Sequence, residues 1–298
     1  MGSICTYCAQ PAAKKFETKD FNQKVDCRNF HYFQCPSCRL IYMDPHPTNI
    51  ETYYPSSYYS LPENLEKAEV EFEGLERFKI NIVKEFIAKG SLLEIGPGTG
   101  GFAYLAGKEG FDVETMEVNP RFCRYLKETL HVPTIQSGNL SALPPDRSYD
   151  AIALWHVLEH LSDPWKTLEE LTQRLKPGGF LFIAMPNPDS LQFRFFGKYW
   201  AHVDAPRHFQ LIPQKLLEKS LNRHHCSLLW STTNDAGGLH QNRFGWRVSI
   251  HHAIRIRYIR GLFSLLGPWL NRIMSPLESV DGKGCAYTHV YRKRMSTK

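Results

Sequence analysis

The stretch LLEIGPGTGG, Leu92 to Gly101, constrains the fold of this chain more than any other ten residues. An apolar run that ends in clustered glycines reads as a buried strand delivered into a tight turn, because glycine enters positive φ freely and lets a ligand approach bare backbone. A helical stretch follows, Phe102 to Lys108, giving strand, glycine turn and helix in succession. That succession opens a parallel sheet whose crossovers are helices.

The chain continues in the same rhythm. The pattern predicts a strand over Phe111 to Val118, a helix over Arg121 to Leu130 behind Asn119-Pro120, a short strand over Pro133 to Gln136 and a strong apolar strand from Tyr149 to Leu154. Asp163 and Pro164 supply an N-cap and a first helical residue, and Leu168, Leu171 and Leu175 form the buried face of the next helix. LKPGG then turns into a strand over Phe180 to Met185. A loop-rich stretch to Pro213, a helix from Gln214 to Arg223, a strand from Cys226 to Thr232, an insertion over 237–280 and a last strand from Ala286 to Tyr291 complete the pattern. Ahead of the glycine turn, Leu75, Phe78, Ile82, Val83, Phe86 and Ile87 mark a helix running from Glu66 to a C-cap at Gly90.

A glycine turn between strand and helix suits a phosphate- or ribose-bearing ligand, and an acidic residue some twenty positions on can accept bonds from ribose hydroxyls. Glu117, at the end of the second strand, fills that place. Read as Gly96-x-Gly98-x-x-Gly101 the turn fits a dinucleotide fingerprint; read as Glu94-x-Gly96-x-Gly98-x-Gly100 it fits a sulfonium cofactor. Glu94 stands where a dinucleotide fold has an apolar residue, and its carboxylate suits a zwitterionic methionine tail. The fourth strand runs into WHVLEHLSDP and LKPGG precedes the fifth. With these three features in order, the chain resembles the class I S-adenosylmethionine-dependent methyltransferases, closely over Leu92 to Asn187 and more weakly beyond.

The resemblance implies an α/β, Rossmann-like sheet of seven strands with helices on both faces and the last strand antiparallel. It implies that Gly96, Gly98 and Gly100 line the methionine portion, with Glu94 beside it, and that Glu117 holds the ribose. Asn139 takes the place beside adenine where the family often has Asp, and keeps a carbonyl able to accept the amino hydrogen. Trp155 follows the fourth strand and walls the cofactor. A sulfonium methyl is already activated, so the enzyme aligns a nucleophile and removes its proton where needed. His160 and His208 are the candidate acid–base residues; His208 lies in FGKYWAHVDAPRHFQLIP, similar to a stretch over the family's acceptor pocket. Glu159 and His156 beside His160 raise a metal site, although their spacing does not compel one.

Cys5-x-x-Cys8 and Cys35-x-x-Cys38 form two chelating turns, a pattern that points to one structural zinc ion in an N-terminal ribbon over 1–45. Short strands are expected at Lys24 to Asp26 and Phe30 to Gln34, and Cys27 or His31 could replace one ligand. Residues 46–65 read as a Tyr- and Pro-rich connector, with Tyr53, Tyr54, Tyr58 and Tyr59 packing between domains or forming a lid, and 66–298 as the methyltransferase domain. A formal charge of +6 over 298 residues is a modest excess that suits a small-molecule acceptor, plausibly sugar- or lipid-linked, better than nucleic acid. RNA methylation is the rival within catalysis, and a non-catalytic cofactor-binding module the rival outside it. An N-terminus without an apolar signal stretch, and no run of 18 apolar residues, predict a cytoplasmic protein without a membrane span. In the insertion, RIRYIRGLFSLLGPWLNRI reads as an amphipathic helix packed on the domain, with cover for the site and peripheral membrane contact as the alternatives.

Overall fold

The computed structural model describes residues 2–55, 60–254, 269–280 and 282–295. The chain opens with four short strands, β1 (Ser3–Ile4), β2 (Pro11–Thr18), β3 (Phe30–Gln34) and β4 (Ile41–Met43). Helices α1 (Leu65–Leu75) and α2 (Arg77–Phe86) lead into the alternating unit: β5 (Ser91–Ile95), α3 (Gly101–Lys108), β6 (Asp112–Glu117), α4 (Pro120–Glu128), β7 (Thr134–Gln136), β8 (Tyr149–Trp155), α5 (Pro164–Arg174) and β9 (Leu175–Pro186). Then follow α6 (Leu191–Phe196), β10 (Gln210–Leu211), α7 (Gln214–Arg223), β11 (Cys226–Thr232), α8 (Ala236–Ala253) and β12 (Ala286–Lys293).

Seven strands form one sheet in the order β11-β12-β9-β8-β5-β6-β7. β5 to β9 are mutually parallel, and β12 runs antiparallel between β9 and β11. The pairing alternates the side chains of each strand between two apolar layers. Leu93, Ile95, Ile152 and Leu154 enter one layer with Leu168 of α5 and Leu217 of α7. Leu92, Ala151 and Ala153 enter the other with Phe72 of α1, Val83 of α2, Phe102 of α3 and Leu126 of α4. Helices therefore cover both faces, as the resemblance implies, and among the described residues no helix is long and apolar enough to cross a membrane.

Several boundaries differ from the sequence expectation for identifiable reasons. The leading helix is two helices meeting at Glu76, and the second stops at Phe86 rather than running to Gly90, because Ile87 turns extended and packs into the core. Lys24 to Asp26 form no strand: the Asp20 carboxylate accepts the N–H groups of Gln23 and Val25 and wraps the segment into a turn. LKPGG lies within β9, bulged out where its pairing with β8 jumps register. β2 is an additional strand whose polar PAAKKFET sequence hides it from an apolar pattern.

The N-terminal segment is tied into the rest of the chain. β4 pairs antiparallel with β10, closing a second sheet in the order β1-β2-β3-β4-β10. Tyr32 and Met43 share an apolar cluster with Trp200, Phe209 and Trp246, and Tyr53 of the connector packs in it too. Tyr58, Tyr59 and residues 255–268 of the expected amphipathic segment lie outside the described residues.

One fully buried ion cluster joins these parts. The Arg207 guanidinium donates to Asp204 at 2.6 and 2.9 Å, to Asp20 at 2.7 Å and to the Tyr53 carbonyl at 3.0 Å. Removing the cation would leave two carboxylates buried without compensation, a loss of about 3–5 kcal/mol. Arg207→Met is expected to lower the unfolding free energy by that order, read as a lower urea midpoint at unchanged slope, and a midpoint within experimental error of wild type would remove the cluster as a structural tie.

Candidate active site

Each glycine of the turn between β5 and α3 has positive φ, at 62° for Gly96, 57° for Gly98 and 79° for Gly100. They serve different ends. A Cβ on Gly98 would meet nothing within 4 Å, so this peptide faces open space, whereas a Cβ on Gly96 would lie 3.0 Å from Val157. A Cβ on Gly100 would run into Leu126 of α4, and one on Gly101 would lie 2.7 Å from Phe72 of α1. Gly100 and Gly101 are thus glycine for helix packing, while Gly96, Pro97, Gly98 and Thr99 border a cavity of about 900 Å³.

Two acidic residues flank the turn. Glu117, at the end of β6, accepts N–H groups from Gly98 at 3.3 Å and from Val118 and Asn119 at 2.8 Å. A carboxylate has about four acceptor positions, so three bonds leave capacity for a hydroxyl. Burial raises its pKa although these bonds oppose the rise. Glu94 is buried on β5, and one of its carboxylate oxygens has no partner among the described residues. Burial pushes it up to about 8. An enclosed carboxylate short of a partner beside an open glycine turn offers the acceptor expected for an ammonium-bearing ligand.

β8 delivers Trp155 to the same cavity, where its ring meets Phe102 edge-on and the Lys79 ammonium lies 5.4 Å from its centroid. The chain then turns sharply, with His156 at φ 58°, and brings Glu159 and His160 to the cavity wall. The loop after α6 brings His202, Asp204 and His208 against them. His160 and His208 meet edge-to-face with centroids 4.6 Å apart.

Their hydrogen bonds define the tautomers. His160 Nδ1 lies 3.0 Å from the Arg207 carbonyl and 3.0 Å from the Tyr54 hydroxyl, and His208 Nδ1 lies 2.8 Å from the His202 carbonyl. A carbonyl only accepts, so both Nδ1 atoms carry hydrogen and both Nε2 atoms keep a lone pair in the neutral rings. Burial, reinforced by His208, lowers His160 to about 4, so this ring is neutral at pH 7. Asp204, lowered to about 2 against the effect of burial by its Arg207 bonds, places a carboxylate oxygen 3.9 Å from His208 Nε2. Glu159 is 0% exposed with neither oxygen hydrogen-bonded among the described residues; His156 Nδ1 stands 3.4 Å away. Ligand atoms of Glu159, His160 and His208 all lie within 4.8 Å of one another, a cluster able to share a proton or to hold a divalent cation.

Asn139 stands apart. It is exposed, caps a short turn by accepting the Ser141 N–H at 3.0 Å, and does not line the cavity. Two parts of the cavity wall escaped the sequence reading. Phe21 to Lys24 come from the N-terminal segment, for which no local signal exists. Gln241, Phe244, Val248 and His251 come from α8, and their three- and four-residue spacing was the available signal for one helix face.

The four cysteines converge as well. Cys5 and Cys38 sulfurs are 3.5 Å apart, as are those of Cys8 and Cys35, and all four lie within 4.8 Å of one another. With metal–sulfur bonds of about 2.3 Å, a tetrahedral ion needs sulfur separations of about 3.8 Å, so the set fits zinc. The two turns match: Ala9 and Arg39, each at positive φ, return N–H bonds to the Cys5 and Cys35 carbonyls. Cys27 and His31 lie outside this group.

Known proteins resemble this chain in sequence and in fold. A family model described as a methyltransferase domain matches residues 68–229. A thiol S-methyltransferase of Rattus norvegicus is 28% identical over 167 residues, 53% of this chain and 57% of the relative. A ubiquinone biosynthesis O-methyltransferase of Nitrosospira multiformis is 27% identical over 134 residues, 41% of this chain and 54% of the relative. The chain thus spans little more than half the length of these curated relatives. A solved structure from Galdieria sulphuraria, assigned as a sarcosine dimethylglycine methyltransferase, superposes with a TM-score of 0.54 at 15% identity, covering 83% of this chain and 99% of that one.

The raised Glu94 carboxyl has a signed consequence. The folded state keeps this proton up to about pH 8 whereas the unfolded chain releases it near 4.5, so stability falls as pH rises between those values. Ligand-free Glu94→Gln is expected to melt close to wild type at about pH 5 and above it at about pH 8.5. Thermal melts across that range check this, and parallel wild-type and variant curves would clear Glu94.

Proposed function

The chain belongs to the class I S-adenosylmethionine-dependent methyltransferases, and on that premise we propose that it moves a methyl group from S-adenosylmethionine to a hydroxyl oxygen or an acidic carbon of a small-molecule acceptor. The observation that carries this reading is one cavity running from the glycine turn to the His160–His208 pair. In this reading Gly96 and Gly98 hold the methionine portion, Glu94 its ammonium, and Glu117 the ribose hydroxyls. Gly100 supports the turn from behind. Trp155 walls the site, and Asn139, whose carbonyl has a second lone pair, serves the adenine amino group. Bound there, the cofactor supplies a methyl carbon already activated by its sulfonium charge.

The remaining work falls to the chain's own residues. Packed aromatic and apolar walls, Trp155, Phe244 and Val248, limit water around the reacting atoms. His208 Nε2 would take the proton of the acceptor O–H or C–H bond, freeing that bond's electron pair for the methyl carbon that the bound cofactor would supply. Asp204 stabilises the positive charge that develops on His208. His160, kept neutral by burial, accepts a hydrogen bond and orients the acceptor.

Residues 1–45, in this reading, form a zinc ribbon whose Cys5, Cys8, Cys35 and Cys38 thiolates hold one structural Zn2+. Four sulfurs complete its shell and leave no position for substrate. Residues 46–65 connect it to the catalytic domain over 66–298.

Calorimetric titration tests the cofactor assignment: S-adenosylmethionine is expected to bind in the micromolar range, with Glu117→Ala weakening it about tenfold or more, in line with two lost hydrogen bonds to a charged group. Preference for a nicotinamide dinucleotide would overturn the reading. Zinc content by mass spectrometry is expected near one ion per chain and well below that in Cys35→Ser, together with a lower melting temperature; undiminished zinc in the variant would exclude this ligand set.

A further inference from the structure

The reaction cavity continues past the histidines. A second cavity of about 450 Å³ shares Phe21, Lys24, His251 and His252 with the first. Lys19 and Lys198 add to its wall, and Arg247 lines the main cavity nearby. Among the described residues none of these four cations has a carboxylate ion-pair partner. Glu17, the acidic residue of the annex wall, is 2.9 Å from Lys14 and 3.6 Å from His31, and its carboxylate also feels the Lys198 ammonium.

These cations are held in place by backbone. Lys24 stands at φ 56° in the turn that wraps Asp20, and Asp20 is itself bonded to Arg207. The Lys198 carbonyl accepts the Thr18 hydroxyl at 2.8 Å. At the junction, Phe21 stacks on His252 at 5.4 Å and tilts against Tyr199 at 5.5 Å, which presents aromatic surface between the two chambers.

We propose that the annex receives a phosphate-ester group of the acceptor, a monophosphate or diphosphate held by Lys19, Lys24 and Lys198, while the neutral part of the same molecule reaches His208. The inference rests on the main cavity being the reaction site. Charge balance selects the class: a carboxylate brings one negative charge, whereas a phosphate or diphosphate ester brings about two or three, closer to the three lysines that line the annex. Lysines act as point charges on phosphate oxygens without requiring the planar fork that a carboxylate favours. Because the lysines are partly solvated, binding through them weakens with salt.

The test titrates the full-length protein with inorganic pyrophosphate and, in parallel, with S-adenosylmethionine. Pyrophosphate is expected to bind with at least tenfold loss in Lys19→Ala/Lys198→Ala, both lining the annex and not the main cavity, while Lys215→Ala, in a separate groove with Lys15 and Arg39, is unchanged. S-adenosylmethionine affinity stays level in both variants and reports that they are folded. Absent pyrophosphate binding, or equal loss in Lys215→Ala, overturns the annex. A further arm uses vesicles containing phosphatidic acid: vesicle binding in place of free pyrophosphate binding also overturns it, by assigning the cations to a membrane surface. Failure of S-adenosylmethionine to bind strikes the functional reading instead, so the two failures are separable.

Discussion

A single buried guanidinium organises the histidine-lined wall of the cavity. Arg207 reaches back to Asp20 of the N-terminal segment, across to Asp204 in its own loop and onto the Tyr53 carbonyl of the connector. Three stretches far apart in sequence become one wall because a guanidinium out of water tolerates no missing partner. The arrangement also positions chemistry. Asp204 lies beside His208, the Arg207 carbonyl fixes the His160 tautomer, and Asp20 shapes the turn that carries Lys24.

Two other acids use the opposite device and are left short of partners. Among the described residues Glu94 sits in the sheet beside the glycine turn with one oxygen unpartnered, and Glu159 is enclosed beside His160 with both. Burying such groups costs stability, and that cost is borne beside the cavity where a ligand can offset it. Positive φ recurs along the same wall: Gly96 and Gly98 adopt it freely in the turn, whereas His156 after β8 and Asp204 in the loop after α6 hold it with a side chain attached.

The N-terminal segment is better understood as part of the cavity wall than as an appendage. β10, carried by the chain just after His208, completes its sheet, while Phe21 to Lys24 face the main cavity. The four cysteines pack with Leu40 and Tyr42 into the large core that also holds Leu93 and Ile183. Ordering of the thiolates, the sheet and the acceptor loop is therefore mechanically linked.

By itself the sequence determined the local grammar: β5 to α3 around LLEIGPGTGG, the alternation through β9, the cap at Asp163, and the two Cys-x-x-Cys turns. Each of these is written in adjacent residues, as period, cap or turn chemistry. Pattern could also name Glu94, Glu117, His160 and His208, because each stands at a fixed offset from a strand end or within a recognisable motif. Only the tertiary structure decided that Gly100 packs on Leu126 while Gly98 faces open space, that Asn139 caps a turn, that Phe21 and Lys24 join the cavity, and that α8 walls it. The physical reason is range. Backbone preference acts over a few residues and leaves a mark in sequence, whereas burial, charge pairing and cavity shape depend on side chains brought together from distant segments, and any one segment carries only half of each contact.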